Sequence, residues 1–238
     1  MNKNLFYIAL IALAVVVFIA RLIRRKTRPF YQALDKKYQD LLAGRFQDPK
    51  QARRFKNALA AYETRQYSSA LKQLGKLLQS AQDPQDQALC HFIMGCCDDE
   101  QQQYAAAQRA YEEAARLDPG LLAAQSNLAT LLDITGQPEK SADMLRFLVE
   151  KWPKDARVHM NYAAALTHLH RDTQAVQEFK TALELDGTML DARISLSVLY
   201  ARMGQTKQSQ EWVQDAVFHG ADEVRLRGMI ESELKKRK

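Results

Sequence analysis

A regular recurrence of small and large residues runs through most of this sequence and restricts its fold more than any other feature. Small residues recur at spacings of 37, 34, 34 and 34 positions, in the column Ala58, Gly95, Ala129, Ala163 and Ser197. A second small residue follows each of these twelve positions later, in the column Ala70, Ala107, Ser141, Ala175 and Ser209. Large apolar residues come four positions after the second column, at Leu74, Tyr111, Leu145, Phe179 and Val213. A further apolar column comes three positions after those, at Leu77, Ala114, Leu148, Ala182 and Ala216. Because residues at i, i+4 and i+7 share one face of a helix, the last three columns predict a helix in every unit.

Turn-forming residues separate the predicted helices. Gly136 and Gly204 lie between the two helices of a unit, and Pro119 and Pro153 end second helices because proline cannot continue a helix. Each unit is therefore predicted to be a helix, a short turn and a second helix. One such unit cannot bury its apolar face alone, whereas five stacked units bury a continuous core. The chain has only 9 glycines and 6 prolines, which argues against a turn-rich all-β fold.

A 34-residue helix–turn–helix period with these columns resembles the tetratricopeptide repeat (TPR) family. The unit with the best match has the family's residues at Gly95, Tyr104, Ala107, Tyr111, Ala114 and Pro119. The tryptophan found early in the family's repeat is missing from every unit. The resemblance implies an all-α fold, a right-handed solenoid of about five repeats, with units at residues 51–87, 88–121, 122–155, 156–189 and 190–223.

Amphipathic segments flank the repeats on both sides. Residues 29–50 are predicted to form a linker helix, because apolar residues stand at positions 30, 34, 38, 41 and 42. Residues 222–238 are predicted to form a C-terminal helix that covers the last repeat and ends in a basic tail. A terminal helix with a polar outer face is the expected capping device of a solenoid.

The N-terminal segment is predicted to be a transmembrane anchor, within residues 1–28. Residues 5–20 form an unbroken apolar stretch, which Leu22 and Ile23 extend. As a helix, residues 5–23 would cover about 28 Å, close to the hydrocarbon core of a bilayer at about 30 Å. A cleaved signal peptide is the weaker interpretation, because no convincing small-x-small cleavage site precedes the basic residues. A buried soluble helix would need a larger core than this domain offers.

The charges around this segment predict its orientation. Lys3 precedes it, whereas five basic residues follow it, at Arg21, Arg24, Arg25, Lys26 and Arg28. Because Lys and Arg resist translocation, the N-terminus is predicted to lie outside and the repeats in the cytoplasm. The N-terminal 28 residues account for the whole net charge of +6, since the rest of the chain has 28 basic and 28 acidic residues. A nucleic-acid-binding domain should carry its own basic excess, so nucleic acid is not expected as a partner.

The sequence has no convincing catalytic or metal-binding pattern. Cys90, Cys96 and Cys97 lie on one predicted helix without a CxxC spacing, and we interpret them as packing residues. His168 and His170 do not share a helical face, and we interpret them as exposed histidines. No glycine-rich phosphate loop, serine elbow or HExxH motif occurs in the sequence. We therefore expect no enzyme activity, no cofactor, no metal and no small-molecule substrate.

The resemblance to the TPR family also implies where a partner protein would bind. In the family, the first helices line a concave groove that takes extended or helical segments of other proteins. The corresponding positions in this chain are Phe55, Leu59, Tyr62, Phe92, Cys96, Asp99, Ser126, Thr130, Asp133, Met160, Ala164, Thr167, Ile194, Val198 and Arg202. One branch of the family clamps a C-terminal carboxylate with the help of an asparagine, but the corresponding positions hold Leu59, Cys96, Thr130, Ala164 and Val198.

Two interpretations of this mixed, largely apolar surface remain open. It suits an amphipathic helix of a partner protein. Alternatively, the chain's own linker or C-terminal helix covers it.

These features predict a membrane-tethered scaffold or adaptor that binds a partner segment in the groove at the cytoplasmic face of a membrane. An assembly factor is one form of such a protein. The alternative is a receptor in an organelle membrane, because an N-terminal anchor followed by cytosolic repeats resembles the layout of mitochondrial outer-membrane import receptors. In both interpretations the repeats recognise another protein.

Overall fold

The computed structural model describes residue 46 and residues 48–235. The predicted anchor, residues 1–28, and most of the predicted linker lie outside the described residues. Within the described residues the chain is helical and forms no strand. No helix among them has both the length and the apolar composition that crossing a bilayer requires.

Eleven helices occur in the described part of the chain, as five pairs and one further helix. The first helices of the pairs are α1 (Pro49–Glu63), α3 (Pro84–Glu100), α5 (Leu122–Ile134), α7 (Ala156–His168) and α9 (Leu190–Arg202). The second helices are α2 (Tyr67–Leu78), α4 (Tyr104–Leu117), α6 (Pro138–Lys151), α8 (Asp172–Leu185) and α10 (Thr206–Phe218). The last helix is α11 (Glu223–Lys235). The prediction of an all-α repeat fold is confirmed for these residues.

Each helix pair is joined by the same tight turn, in which one residue adopts a left-handed conformation. This residue is Arg65, Gln102, Gly136, His170 or Gly204, with φ between 56° and 82°. The next residue donates its N–H to a carbonyl five positions back, as Gln103 does to Asp98 at 2.8 Å and Gln137 to Leu132 at 2.9 Å. This bond satisfies a carbonyl at the end of the first helix that would otherwise lack a partner. The same turn therefore recurs in all five pairs, although only two of the five left-handed residues are glycine.

The four residue columns seen in the sequence form the core between the helices of each pair. Their apolar members are fully or nearly fully buried, from Ala58 in the first repeat to Ala216 in the fifth. A Cβ atom added to Gly95 would lie 2.6 Å from the ring of Tyr111, so this position leaves no room for a side chain. In the fifth repeat the Ser209 hydroxyl donates to the carbonyl oxygen of Ser197 at 2.9 Å. Small residues in the first two columns thus let the two helices of a pair approach closely.

The pairs stack because each second helix packs against the first helix of the following pair. Aspartates begin three of the first helices: the carboxylates of Asp48, Asp83 and Asp155 accept hydrogen bonds from backbone N–H groups two residues later. Such N-caps each stabilise a helix by about 1 kcal/mol. Stacking of the pairs places all five first helices in one row, which is the row that carries the predicted groove residues.

Candidate protein-binding groove

The fifteen predicted residues all lie on the first helices, and we call the surface that they form the groove. Over α1 and α3 the groove is closed. Its residues there are buried or half-buried: Phe55, Leu59, Tyr62, Phe92, Cys96 and Asp99. Phe46, which precedes α1, is itself buried, and its ring centroid lies 4.8 Å from that of Phe55. This end of the groove is therefore filled by packed side chains.

Over α5 and α7 the groove is more open. We define its open segment as the five half-buried residues Ser126, Thr130, Asp133, Ala164 and Thr167. Met160 lies among them and is buried. The hydroxyls of Thr130 and Thr167 donate to the carbonyl oxygens of Ser126 (3.0 Å) and Ala163 (2.8 Å), so both donors are already used within their helices. The open segment consequently offers a partner mostly methyl groups and small side chains.

Over α9 the groove meets the C-terminal helix. Ile194 and Val198 are half-buried and pack against a cluster of Val213, Ala216 and Leu226, the last of which belongs to α11. The accessible part of the groove is thus its middle, between a closed N-terminal end and the C-terminal helix.

Two charged pairs join neighbouring repeats beside the open segment. Asp133 on α5 accepts a hydrogen bond from Nδ1 of His168 on α7, with 2.6 Å between the atoms. Arg202 on α9 donates two hydrogen bonds to the carboxylate of Asp172, the first residue of α8, and a third to the carbonyl oxygen of Thr167 at 3.1 Å. Both links reach across a repeat boundary, so they fix the spacing of α5, α7 and α9.

A family model described as tetratricopeptide repeat matches residues 27–186 of the chain. The chain belongs to the tetratricopeptide repeat family. The resemblance noted in the sequence is therefore confirmed, and the TPR match covers more than half of the residues. No curated protein matches the chain in sequence.

Solved structures of TPR proteins resemble the chain in fold. MamA (residues 41 to the end) from Desulfovibrio magneticus RS-1 has a TM-score of 0.62 at 16% identity, covering 73% of this chain and 97% of that one. TTC0263 from Thermus thermophilus has a TM-score of 0.60 at 19% identity, covering 77% and 98%. YrrB, described as a TPR protein with an unusual peptide-binding site, has a TM-score of 0.58 at 20% identity, covering 72% and 87%. At these identities the likeness concerns the fold alone.

The three cysteines of this TPR chain are buried, in agreement with their interpretation as packing residues. Burial raises the pKa of the Cys90 and Cys96 thiols to about 12 and also raises the pKa of Cys97. The side-chain amide of Asn127 donates a weak hydrogen bond to the sulfur of Cys96 at 3.7 Å. Among the described residues no group of three or more His, Cys, Asp or Glu side chains is placed to hold a metal ion.

Sequence reasoning missed the link between Asp133 and His168. His168 is exposed, as expected, but the nearest carboxylate belongs to the preceding repeat, 35 positions earlier. The sequence signal for such a link is a carboxylate that precedes a histidine by one repeat period plus one residue. A search along a single helix does not include that separation. The Arg202 contact with Thr167 has the same separation of 35 positions.

The Asp133 link should make the stability of the array depend on pH. The hydrogen bond to Asp133 raises the pKa of His168, outweighing the opposing effects of desolvation and of Arg202. Because the pKa is higher in the folded chain, the stabilisation is complete below the unfolded value of about 6.5 and is lost as pH rises through the folded value. With 58% of the His168 side chain exposed, screening by solvent limits the effect to below about 1 kcal/mol.

We expect His168→Asn to lower the free energy of urea-induced unfolding at pH 5.5 and to have a smaller effect at pH 8.5. His170→Gln is the control, since His170 is exposed and glutamine already holds the same left-handed turn position at Gln102. A difference between wild type and His168→Asn that stays constant from pH 5.5 to 8.5 would contradict this account of the link.

Proposed function

We propose that this TPR protein is a membrane-tethered scaffold that holds a segment of another protein in the open segment of its groove. The observation that carries the proposal is the contrast along the groove. Its N-terminal end is filled by buried side chains. At its C-terminal end Ile194 and Val198 are half-buried like Thr130 and Ala164, but they pack against the cluster that includes Leu226 of α11. This difference supports the middle of the row of first helices as the place where a partner binds.

The chemistry of the open segment favours an amphipathic helix or an extended apolar segment as the partner. Small side chains on α5 and α7 let a partner backbone come close, and the buried Met160 supplies an apolar floor. Apolar contacts in a groove of this kind provide affinity, while a few polar groups at its edge fix the direction of the bound segment. His168 is such a group here: its side chain is 58% exposed, and it is held by Asp133, a residue of the open segment whose own side chain is 8% exposed.

The unbroken apolar stretch of residues 5–20 and the five basic residues after it support tethering with the repeats on the cytoplasmic side. Tethering raises the effective concentration of the groove for a partner in the same membrane, so weak contacts can suffice.

Ser232→Cys on the exposed face of α11 tests the orientation. We expect a membrane-impermeant maleimide to label it only after the cells are opened. Labelling in intact cells would reverse the proposed topology, and the buried native cysteines should contribute little signal.

Site-specific photocrosslinking tests the binding site. A benzoylphenylalanine residue at position 130 or 167 of the full chain should give the same discrete adduct with one partner protein in intact cells. The same residue at position 147, where an exposed phenylalanine lies on the second helix α6, is the control and should not give that adduct. Equal adducts from all three positions, or adducts only with the chain's own residues, would refute the proposed site.

A further inference from the structure

Helix α11 does not lie where the first helix of a sixth repeat would lie. In the four inner junctions, the following first helix packs more extensively against the second helix of the preceding pair than against its first helix. Helix α11 instead packs mainly against α9 and only lightly against α10. A cleft of about 480 Å³ separates α10 from α11, with Ser209 and Val213 on one side and Ile230 and Leu234 on the other. The helix is therefore shifted toward the row of first helices.

This shift brings an aliphatic pair of α11 to the groove. Leu226 is 2% exposed and Ile230, one turn later, is half-buried. Both pack in the same cluster as Ile194 and Val198, which are two of the predicted groove residues. An amphipathic helix that presents aliphatic residues at i and i+4 to a groove is a known mode of peptide recognition. The end of the groove over α9 is thus covered by a helix with this spacing of aliphatic residues.

Helix α11 is attached to the array by fewer buried residues than the other helices. Leu226 is its single buried residue, whereas α9 has seven. Val224 is 84% exposed, and Met229 and Leu234 are exposed as well. The ion pair of Arg227 with Glu223 lies within α11 and does not tie it to the array. Segments with few buried apolar contacts open at low cost, so α11 should open more readily than the repeats.

We propose that α11 is an internal ligand of the groove. It lies over α9, in the place that a partner helix with two aliphatic residues one turn apart would take. The inference rests on the proposed function and adds the chemistry of the partner and its regulation. A tethered segment competes with a free one at an effective concentration set by its linker, and only the short turn after α10 separates α11 from the array. A partner helix that extends from the open segment over α9 displaces α11.

A peptide with the sequence of residues 221–235 tests this inference without any cellular partner. The peptide carries benzoylphenylalanine at the position of Met229 and is irradiated with the purified full chain in a nonionic detergent. In the chain with Leu226→Asp and Ile230→Asp, the internal helix no longer competes. We expect at least tenfold more peptide adduct on α9 than with wild type, equivalent to about 1.4 kcal/mol.

Matched controls separate displacement from a general effect of charge. Val224→Asp changes an exposed residue of the same helix and should leave the adduct at the wild-type level. A peptide with aspartate in place of the leucine and isoleucine should give no adduct on α9. Circular dichroism checks that the doubly substituted chain keeps its helical content.

Equal adduct on wild type and on the doubly substituted chain would overturn the inference and make α11 a fixed cap.

A second measurement on wild type is independent of any variant: amide hydrogens of α11 should exchange at least tenfold faster than those of α9. Exchange in α11 as slow as in α9 would also overturn it. Crosslinking from position 130 in cells tests the proposed function separately, since that experiment does not depend on α11.

Discussion

Replacing Tyr111 with alanine is expected to lower the free energy of unfolding by about 3–5 kcal/mol. The side chain is fully buried, lies directly against Gly95 and has its ring centroid 6.2 Å from that of Phe92. Since no side chain at Gly95 can move into the vacated space, the substitution leaves a cavity between α3 and α4. A loss of this size is a large part of the 5–15 kcal/mol by which folded domains are usually stable. Urea-induced unfolding followed by circular dichroism measures it.

Tyr111→Phe is the control, because it keeps the ring and removes only the hydroxyl. The side-chain amide of Asn127 donates to this hydroxyl at a long distance of 3.4 Å. A single neutral hydrogen bond contributes about 1 kcal/mol, so the control should cost no more than that. Equal effects of the two substitutions would show that the ring against Gly95 does not hold the helix pair together.

Replacing Arg202 with methionine is expected to lower the free energy of unfolding by about 2–3 kcal/mol and to loosen the last two repeats from each other. Methionine keeps most of the aliphatic stem but removes the hydrogen bonds to Asp172 and to the Thr167 carbonyl. The Asp172 carboxylate, only 21% exposed, then loses its counter-charge. We expect thermal unfolding at a lower temperature and faster amide exchange in α9, α10 and α11 than in α3 and α4.

Arg146→Met is the matched control for this substitution. Arg146 pairs with Asp143 on the surface of α6, and 63% and 75% of the two side chains are exposed. Exposed pairs of this kind contribute less than about 1 kcal/mol, and salt screens them further. An Arg202→Met variant as stable as Arg146→Met would contradict the structural importance of the link between repeats.

The helix pairs could be predicted from the sequence because their cause is periodic. Columns that start at Ala58 and Ala70 recur in every unit, and stacking of the pairs is the arrangement that buries all of them. The turns could be predicted only in part. Gly136 and Gly204 signal a left-handed residue, whereas Gln102 adopts the same conformation without glycine and gives no local signal.

The extent of the accessible groove could not be predicted, because it depends on packing across the array. The residue pattern places Phe55, Thr130 and Val198 on the same face of their helices, yet their surroundings differ. Phe55 lies beneath Phe46, Val198 packs in a cluster with Leu226 of α11, and Thr130 stays partly exposed. Which positions a neighbouring segment covers depends on three-dimensional contacts that a repeat alignment does not contain.

The most direct test of the account combines the crosslinking probe at position 130 with a second substitution in the same chain. Ala164→Arg places a long charged side chain in the open segment, whereas Phe147→Arg makes a comparable change at an exposed residue of α6. The account predicts at least a tenfold loss of the partner adduct with Ala164→Arg and an unchanged yield with Phe147→Arg. An adduct that forms equally well in both chains would contradict the claim that the middle of the groove binds the partner.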